Sequence, residues 1–434
     1  MRAISTPVRT LAGFLLGLLL GAVAPRLHAP LTAEAVSVAQ TLGGLWLDAL
    51  RMTIIPLVVS LLFVAVGQTA QTARGGGLAA RALLLLGVLL VIAAAISAVV
   101  ASLFLQAWPP PGAAAQALRG AAPSATARGD VKPITDLIRS FVPTNPVKAA
   151  ADGAMAPLVV FTLAFSLAAT RQSPARRAAL MDVFDAVQAA MLTIVQAVLL
   201  IAPLGVFFLA FVLGARAGAG LVGLFAQYLA LICLVCIPGA VIGLGMGIAA
   251  GVRPMALLRA LVPVEVIAVS TQSSVASLPA MLVAARAVGA SERVANLVLP
   301  MAVALFRISN PAANVAIACY IAHVYGVPLE PARLALGVVV AAAVSLAGAG
   351  VSSSVTFFTT LVPVCMALNL PIVALPLLLP LEPLGDFART AANTVADVGA
   401  AVWLGRRRGG SGAEVGAEGG SSAGQAEPGS GGIV

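Results

Sequence analysis

Six polar side chains crowd one stretch near the end of this 434-residue chain: Glu382, Asp386, Arg389, Thr390, Asn393 and Asp397. If residues 380–404 form a helix, these six fall within an arc of roughly 100°. The opposite face carries Leu384, Phe387, Ala391, Val395 and Val402, which suit lipid or packing. Three carboxylates and a guanidinium on one stripe can neutralise one another as a structural ion-pair network, or they can hold a charged solute and a cation. For a solute, Arg389 offers a planar fork that matches a carboxylate. Asp386, about one turn away, offers a partner for an ammonium group.

The elements that position this stripe are read from composition. Only 9% of residues are charged and 60% are hydrophobic, against roughly 25% charged in soluble domains. Charge-free runs occupy 52–73, 82–118, 153–170, 186–215, 217–252, 266–285, 308–329 and 334–381, with a weaker one at 11–24. A bilayer core needs about 20 apolar residues per helix, so the chain is expected to be an all-α polytopic membrane protein. The 11–24 run has the length of a signal-peptide core, but no small-residue cleavage site stands clearly after it and more runs follow. It is read as a retained first helix. An ionisable residue at the centre of a span costs about 2.5–3.5 kcal/mol, so the polar stripe must face a cavity or its own partners.

Twenty-five basic residues against 16 acidic ones leave a net charge of +9. The arginines gather near span ends: Arg2 and Arg9, Arg74 and Arg81, Arg171, Arg176 and Arg177, Arg253 and Arg259, Arg286 and Arg293, and Arg406 to Arg408. Cytoplasmic loops carry such an excess, which accounts for the basic balance without nucleic acid. Both termini are then cytoplasmic in the inner membrane, and the loop at 106–150 is external. Cys233, Cys236, Cys319 and Cys365 lie in apolar stretches and read as small buried hydrophobes. His28 and His323 read as interfacial residues at helix ends.

Two segments are too polar or too long for plain spans: the serine cluster at 269–279 and the Gly/Ser stretch at 345–354. Unpaired backbone cannot face lipid. A Gly/Ser tip at membrane depth therefore implies two half-helices meeting at a buried or wet site, unless the serines pack as small residues against a neighbouring helix. Their matching positions, each before a following helix, favour two re-entrant hairpins. Residues 409–434 lack the apolar content to fold and are expected to form a disordered cytoplasmic tail.

The run Asp386-Phe-Ala-Arg389-Thr390-Ala-Ala-Asn393-Thr-Val-Ala-Asp397 resembles the last-helix motif of the dicarboxylate/amino acid:cation symporter family, the glutamate transporters and their relatives. Val142-Pro-Thr-Asn-Pro146, Ala202-Pro-Leu-Gly-Val-Phe207, Gln272-Ser-Ser-Val-Ala-Ser-Leu-Pro279 and Ala349-Gly-Val351 are similar to further family segments in the same order. The resemblance implies eight transmembrane helices plus the two hairpins. It also implies mainly scaffold helices in 1–251, a transport core in 252–408 and a homotrimer. It implies a symporter for an acidic amino acid or dicarboxylate, moved by an elevator-like shift, with sodium or a proton as coupling ion and no other cofactor. Arg389 would bind a side-chain carboxylate and Asp386 the amino group, while Thr390 and Asn393 would hold the main carboxylate. Ser273 and Ser274 in the first tip, with Gly350 and Val351 in the second, would close over the solute. Asp397 would bind a coupling cation such as sodium, and Glu382 replaces an aspartate.

One departure is larger than the rest. Where the family carries Asn-Met-Asp-Gly-Thr in its seventh helix, this chain has Phe306-Arg307-Ile308-Ser309-Asn310 followed by Pro311. The ion-region aspartate has become Ile308, and Arg307 adds a fixed positive charge. Asn310 can still reach a solute, and Pro311 is expected to keep a break in the helix because it removes a backbone donor. Arg307 is expected to act as a tethered cation near Asp397 or Glu382, alongside Asn393 in the ion region, unless it points to an aqueous vestibule. A binding-only sensor and an uncoupled exchanger therefore stay open beside the symporter. A membrane hydrolase is disfavoured, because Ser273 and Ser274 have no histidine in a neighbouring polar stripe.

Overall fold

The computed structural model of the chain describes residues 6–24, 29–74, 76–109, 115, 142–217, 221–346 and 353–406. The 409–434 tail, most of the 106–150 loop and positions 347–352 lie outside these described residues. The described chain is helical, with no strand among the described residues, as lipid demands of a backbone that must satisfy its own polar groups. Its first part comprises α1 (Thr6–Val23), α2 (Ala29–Arg74), α3 (Gly77–Ala107), a short α4 (Pro146–Ala151), α5 (Met155–Thr170), α6 (Pro174–Leu200), α7 (Ala202–Ala217) and α8 (Leu221–Ala249). The second part comprises α9 (Pro254–Thr271), α10 (Ser274–Ala287), α11 (Glu292–Leu305), α12 (Ser309–Tyr325), α13 (Pro331–Ser345), α14 (Ser353–Ala367), the one-turn α15 (Leu375–Leu378) and α16 (Glu382–Arg406).

Among the described residues, six helical segments are long and apolar enough to cross a membrane, and shorter apolar helices accompany them. The expected all-α polytopic membrane fold is the one adopted. Proline punctuates it. The 186–215 run divides at Ile201, where Pro203 enters the first turn of α7 and Leu204 and Gly205 turn back on the Ile201 carbonyl. The 334–381 run divides into α13 and α14. Past Asn369, at φ 55, it becomes a string of tight turns in which Pro371, Pro376 and Pro380 prevent one continuous helix. In the Val142–Pro146 segment, the Asn145 side chain accepts from the Val147 and Lys148 N–H groups at 2.9 and 3.0 Å. Pro146 starts α4 where its missing donor costs nothing.

Helices α1, α2, α5, α6 and α7 pack on one another, whereas α16 runs among α8, α9, α10 and α11. α3 and α12 lie against each other and link the two groups. α8 and α16 touch backbone to backbone: a Cβ on Gly243 would stand 2.6 Å from the Ala396 Cα, and one on Gly399 would collide with the Gly243 carbonyl. Small residues at such crossings let membrane helices gain dispersion contacts where no hydrophobic drive operates. Outward faces remain apolar, with Leu19 on α1, Leu84 and Leu103 on α3, and Val262 and Val266 on α9 all exposed.

Candidate functional site

α16 carries its polar stripe into this packing. Glu382, Arg389, Thr390, Asn393 and Asp397 are all buried, and Asp386 is half-buried. On the other face Leu384 and Phe387 are exposed while Val395 and Val402 are buried, so that face meets lipid at its start and protein further along. The stripe divides into two clusters.

The first cluster surrounds Arg389. Its Nη1 donates to Glu382 Oε1 at 3.0 Å, a pair whose side chains are 9% and 2% exposed. Asp386 acts on the same guanidinium. Arg389 Nε is buried and has no hydrogen-bond partner among the described residues. α8 contributes Tyr228, close enough to Arg389 and Glu382 for their charges to act on it. The Tyr228 hydroxyl is also buried and without a hydrogen-bond partner among the described residues. Its ring meets Tyr320 of α12 edge-on at 5.7 Å. An unmade hydrogen bond on a buried polar group costs about 1–3 kcal/mol, so each of these two buried donors beside the charge pair would gain from an acceptor.

The second cluster lies where α11 and α12 are interrupted. Phe306 is extended, with φ −132 and ψ 103, and α12 starts at Ser309 with Pro311 in its first turn. The broken-helix shape expected at Pro311 is present, with the break just before that proline. The first turn of a helix leaves its N–H groups without intrahelical partners. Here the Ser309 N–H donates to Asn393 Oδ1 at 2.9 Å, so the last helix caps the broken one. Asp397, one turn past Asn393, is buried with its Oδ2 lacking a hydrogen-bond partner among the described residues, and the charge acting on it is that of Arg307. Arg307 itself is half-buried. Asn310 and Asn314 present buried Nδ2 donors without partners among the described residues, and Thr360 of α14 reaches Asn314 Oδ1 at 3.5 Å.

The first hairpin tip is formed by α9, Gln272 and α10. Gln272 takes the left-handed conformation, φ 51 and ψ 36, that ends α9. Ser273 then caps α10 by accepting from the Ala276 N–H at 3.2 Å. Gln272 Nε2 donates to the Pro383 carbonyl at 2.9 Å, which ties the tip to the start of α16. Ser273 is half-buried and Ser274 buried. Gly350 and Val351, the residues expected in the second tip, lie outside the described residues. Groups of three or more His, Cys, Asp or Glu able to hold a metal ion do not occur among the described residues. The four cysteines are free, three of them buried and Cys233 half-buried.

Sequence reasoning missed three participants. Tyr228 stands in a charge-free run with only Gln227 as a polar neighbour. Thr394, twelve residues past Glu382, falls just outside the polar arc. Glu265 stands just before the 266–285 charge-free run, flanked by Val264 and Val266. The structure joins the last two, with Thr394 Oγ1 2.7 Å from Glu265 Oε1.

Residues 7–407 match the sodium:dicarboxylate symporter family. The chain is 24% identical over 371 residues to the proton/glutamate-aspartate symporter of Escherichia coli (strain K12), covering 83% of each chain. It is 28% identical over 370 residues to the L-cystine uptake protein TcyP of Bacillus licheniformis, covering 81% of this chain and 78% of that relative. It is 29% identical over 294 residues to the TcyP of Bacillus anthracis, where 63% of this chain and 61% of the relative are covered.

Proposed function

This chain belongs to the sodium:dicarboxylate symporter family, and from that premise we propose that it is a secondary active transporter of an acidic amino acid. The observation that carries this reading is the buried Arg389. One of its nitrogens is engaged by Glu382 and its Nε is left without a partner among the described residues, inside an otherwise apolar protein. A guanidinium held this way presents a directed donor to a carboxylate, and Asp386 supplies the charge that favours an ammonium group over a second anion. Thr390 and Asn393 on the same stripe, with Asn310 on α12, complete a set that suits an amino acid better than a plain dicarboxylate.

The coupling cation in this reading is a proton rather than sodium. Arg307 sets a fixed positive charge on Asp397, so a buried carboxylate that would otherwise need a metal cation has one tethered to the chain. The relative from Escherichia coli is named for proton coupling, which agrees with this. Movement is by an elevator-like shift of α9–α14 and α16 across the first-part helices, in a homotrimer of the inner membrane with both termini cytoplasmic. A cystine carrier is the second reading. It is favoured by the TcyP relatives and by the same set of carboxylate and ammonium partners.

Uptake into proteoliposomes tests the proposal. Labelled L-aspartate should accumulate under an inward proton gradient with choline replacing sodium, and excess L-glutamate should block it more strongly than L-cystine or succinate. Binding without accumulation would make the protein a sensor. Preferential block by L-cystine would move the substrate to the second reading.

A further inference from the structure

We propose that Glu265 and Thr394 form a proton-binding site joining the first hairpin to the last helix. Thr394 is fully buried, and its one hydroxyl hydrogen has three acceptors within reach. These are Glu265 Oε1 at 2.7 Å, the Ala391 carbonyl at 3.0 Å and the Thr390 carbonyl at 3.1 Å. When Glu265 is ionised, the Thr394 O–H donates to its carboxylate. When Glu265 takes up a proton, the Thr394 hydrogen turns to a carbonyl of its own helix, and the Thr394 oxygen accepts the new Glu265 O–H. Both charge states are therefore hydrogen-bonded at unchanged heavy-atom positions. A hydroxyl can play both parts because it is donor and acceptor at once; an arginine or lysine partner would fix the carboxylate in its charged form. Glu265 is half-buried, so its carboxylate is partly accessible while the threonine is enclosed.

Among the described residues no counter-ion locks this carboxylate. α9 packs chiefly against α10, α16 and α8. α10 contributes Arg286, in its last turn and engaged by Glu292 and Asn296. On α16, Asp397 lies one turn beyond Thr394 and is acted on by Arg307. Arg389 lies between one and two turns in the other direction, bonded to Glu382 and close to Asp386, and Arg406 lies at the helix end. α8 contributes Tyr228, Cys233 and Cys236, and α9 itself carries Arg259 nearly two turns back. The site spans two elements that move together in the proposed mechanism, and it sits one residue from Asn393, which caps α12 beside the substrate stripe. Proton binding at Glu265 is thereby linked to substrate binding. The linkage to a substrate rests on the transport reading above, whereas the proton site itself does not.

The tests use the full chain in liposomes with L-aspartate as the probe, in wild type, Glu265→Gln, Thr394→Val and Thr394→Ser. Glutamine keeps an acceptor for Thr394, so a merely structural clamp would survive that change. In the wild type, L-aspartate affinity should weaken as pH rises, by up to about tenfold per pH unit. The Glu265→Gln protein should hold the low-pH affinity at every pH. Thr394→Val should displace the midpoint of the titration, and Thr394→Ser should restore it. Infrared titration of the substrate-free protein should show a carboxyl C=O band that gains and loses a proton in the wild type and is missing in Glu265→Gln. A wild-type pH profile retained in Glu265→Gln, or infrared titrations that superimpose, would overturn the proton site. Absence of L-aspartate binding together with an infrared band lost in Glu265→Gln would leave the proton site standing and remove the proposed substrate.

Discussion

Removing either member of the Glu382–Arg389 pair should unfold much of what the pair holds, and removing both should not. At 3.0 Å and an effective dielectric of about 20, two unit charges attract by roughly 5.5 kcal/mol before desolvation is counted. Both side chains are almost fully buried, so whichever survives keeps its desolvation cost and loses this compensation. Each of Arg389→Met and Glu382→Gln should therefore destabilise the protein by about 3–5 kcal/mol. The double variant places two neutral side chains of similar volume in the same space and should recover most of that loss, because the coupling belongs to the pair. The assay is a double-mutant cycle on chemical unfolding of the purified protein in detergent, followed by tryptophan fluorescence or helical circular dichroism. L-Aspartate adds a second reading. In Glu382→Gln the guanidinium keeps only the half-buried Asp386 as an internal anion, so a bound carboxylate should raise stability more than it does in the wild type; in Arg389→Met it should raise it hardly at all. A coupling energy below about 0.5 kcal/mol, or equal stabilisation of both variants by L-aspartate, would refute the view that one guanidinium serves both Glu382 and the substrate.

Other perturbations test the neighbouring contacts. Asn393→Ala leaves the Ser309 N–H without its 2.9 Å acceptor and should cost about 1–3 kcal/mol; unfolding curves matching the wild type would show that water caps α12 instead. Gly243→Ala inserts a methyl 2.6 Å from the Ala396 Cα, so it should cost about 1–3 kcal/mol of overpacking and slow uptake; an unchanged melting temperature would deny the α8–α16 contact. Gln272→Val places a β-branched residue at φ 51 and removes the bond to the Pro383 carbonyl, whereas Gln272→Gly relieves the backbone and removes only the bond; similar stability of the two variants would rule out strain at that tip. Substrate affinity measured across a sodium titration at constant ionic strength should be nearly flat in the wild type, and binding should fail in Arg307→Met; steep sodium dependence in the wild type would end the tethered-cation reading.

The sequence by itself determined the solvent of this protein and the face on which its chemistry lies. Long runs without charge admit no fold but buried or membrane helices, and the helical period alone gathers Glu382, Asp386, Arg389, Thr390, Asn393 and Asp397 on one side. It also marked the break before α12, because Pro311 removes a donor whichever tertiary structure surrounds it. What it left open were the partners across helices. A period says which residues share a face and nothing about what that face meets. Hence Arg389 could be assigned to a solute or to Glu382, and the fold gives it Glu382 while Nε has no hydrogen-bond partner among the described residues. Tyr228, Glu265 and Thr394 lay in apolar or boundary positions where no local pattern singles them out. Their roles follow from α8 and α9 lying against α16, an approach set by glycines and small side chains more than a hundred residues apart. Helix-to-helix register in lipid is fixed by packing and by buried polar groups seeking partners, and those are properties of pairs of segments. That is why the stripe was legible in one dimension and the proton site only in three.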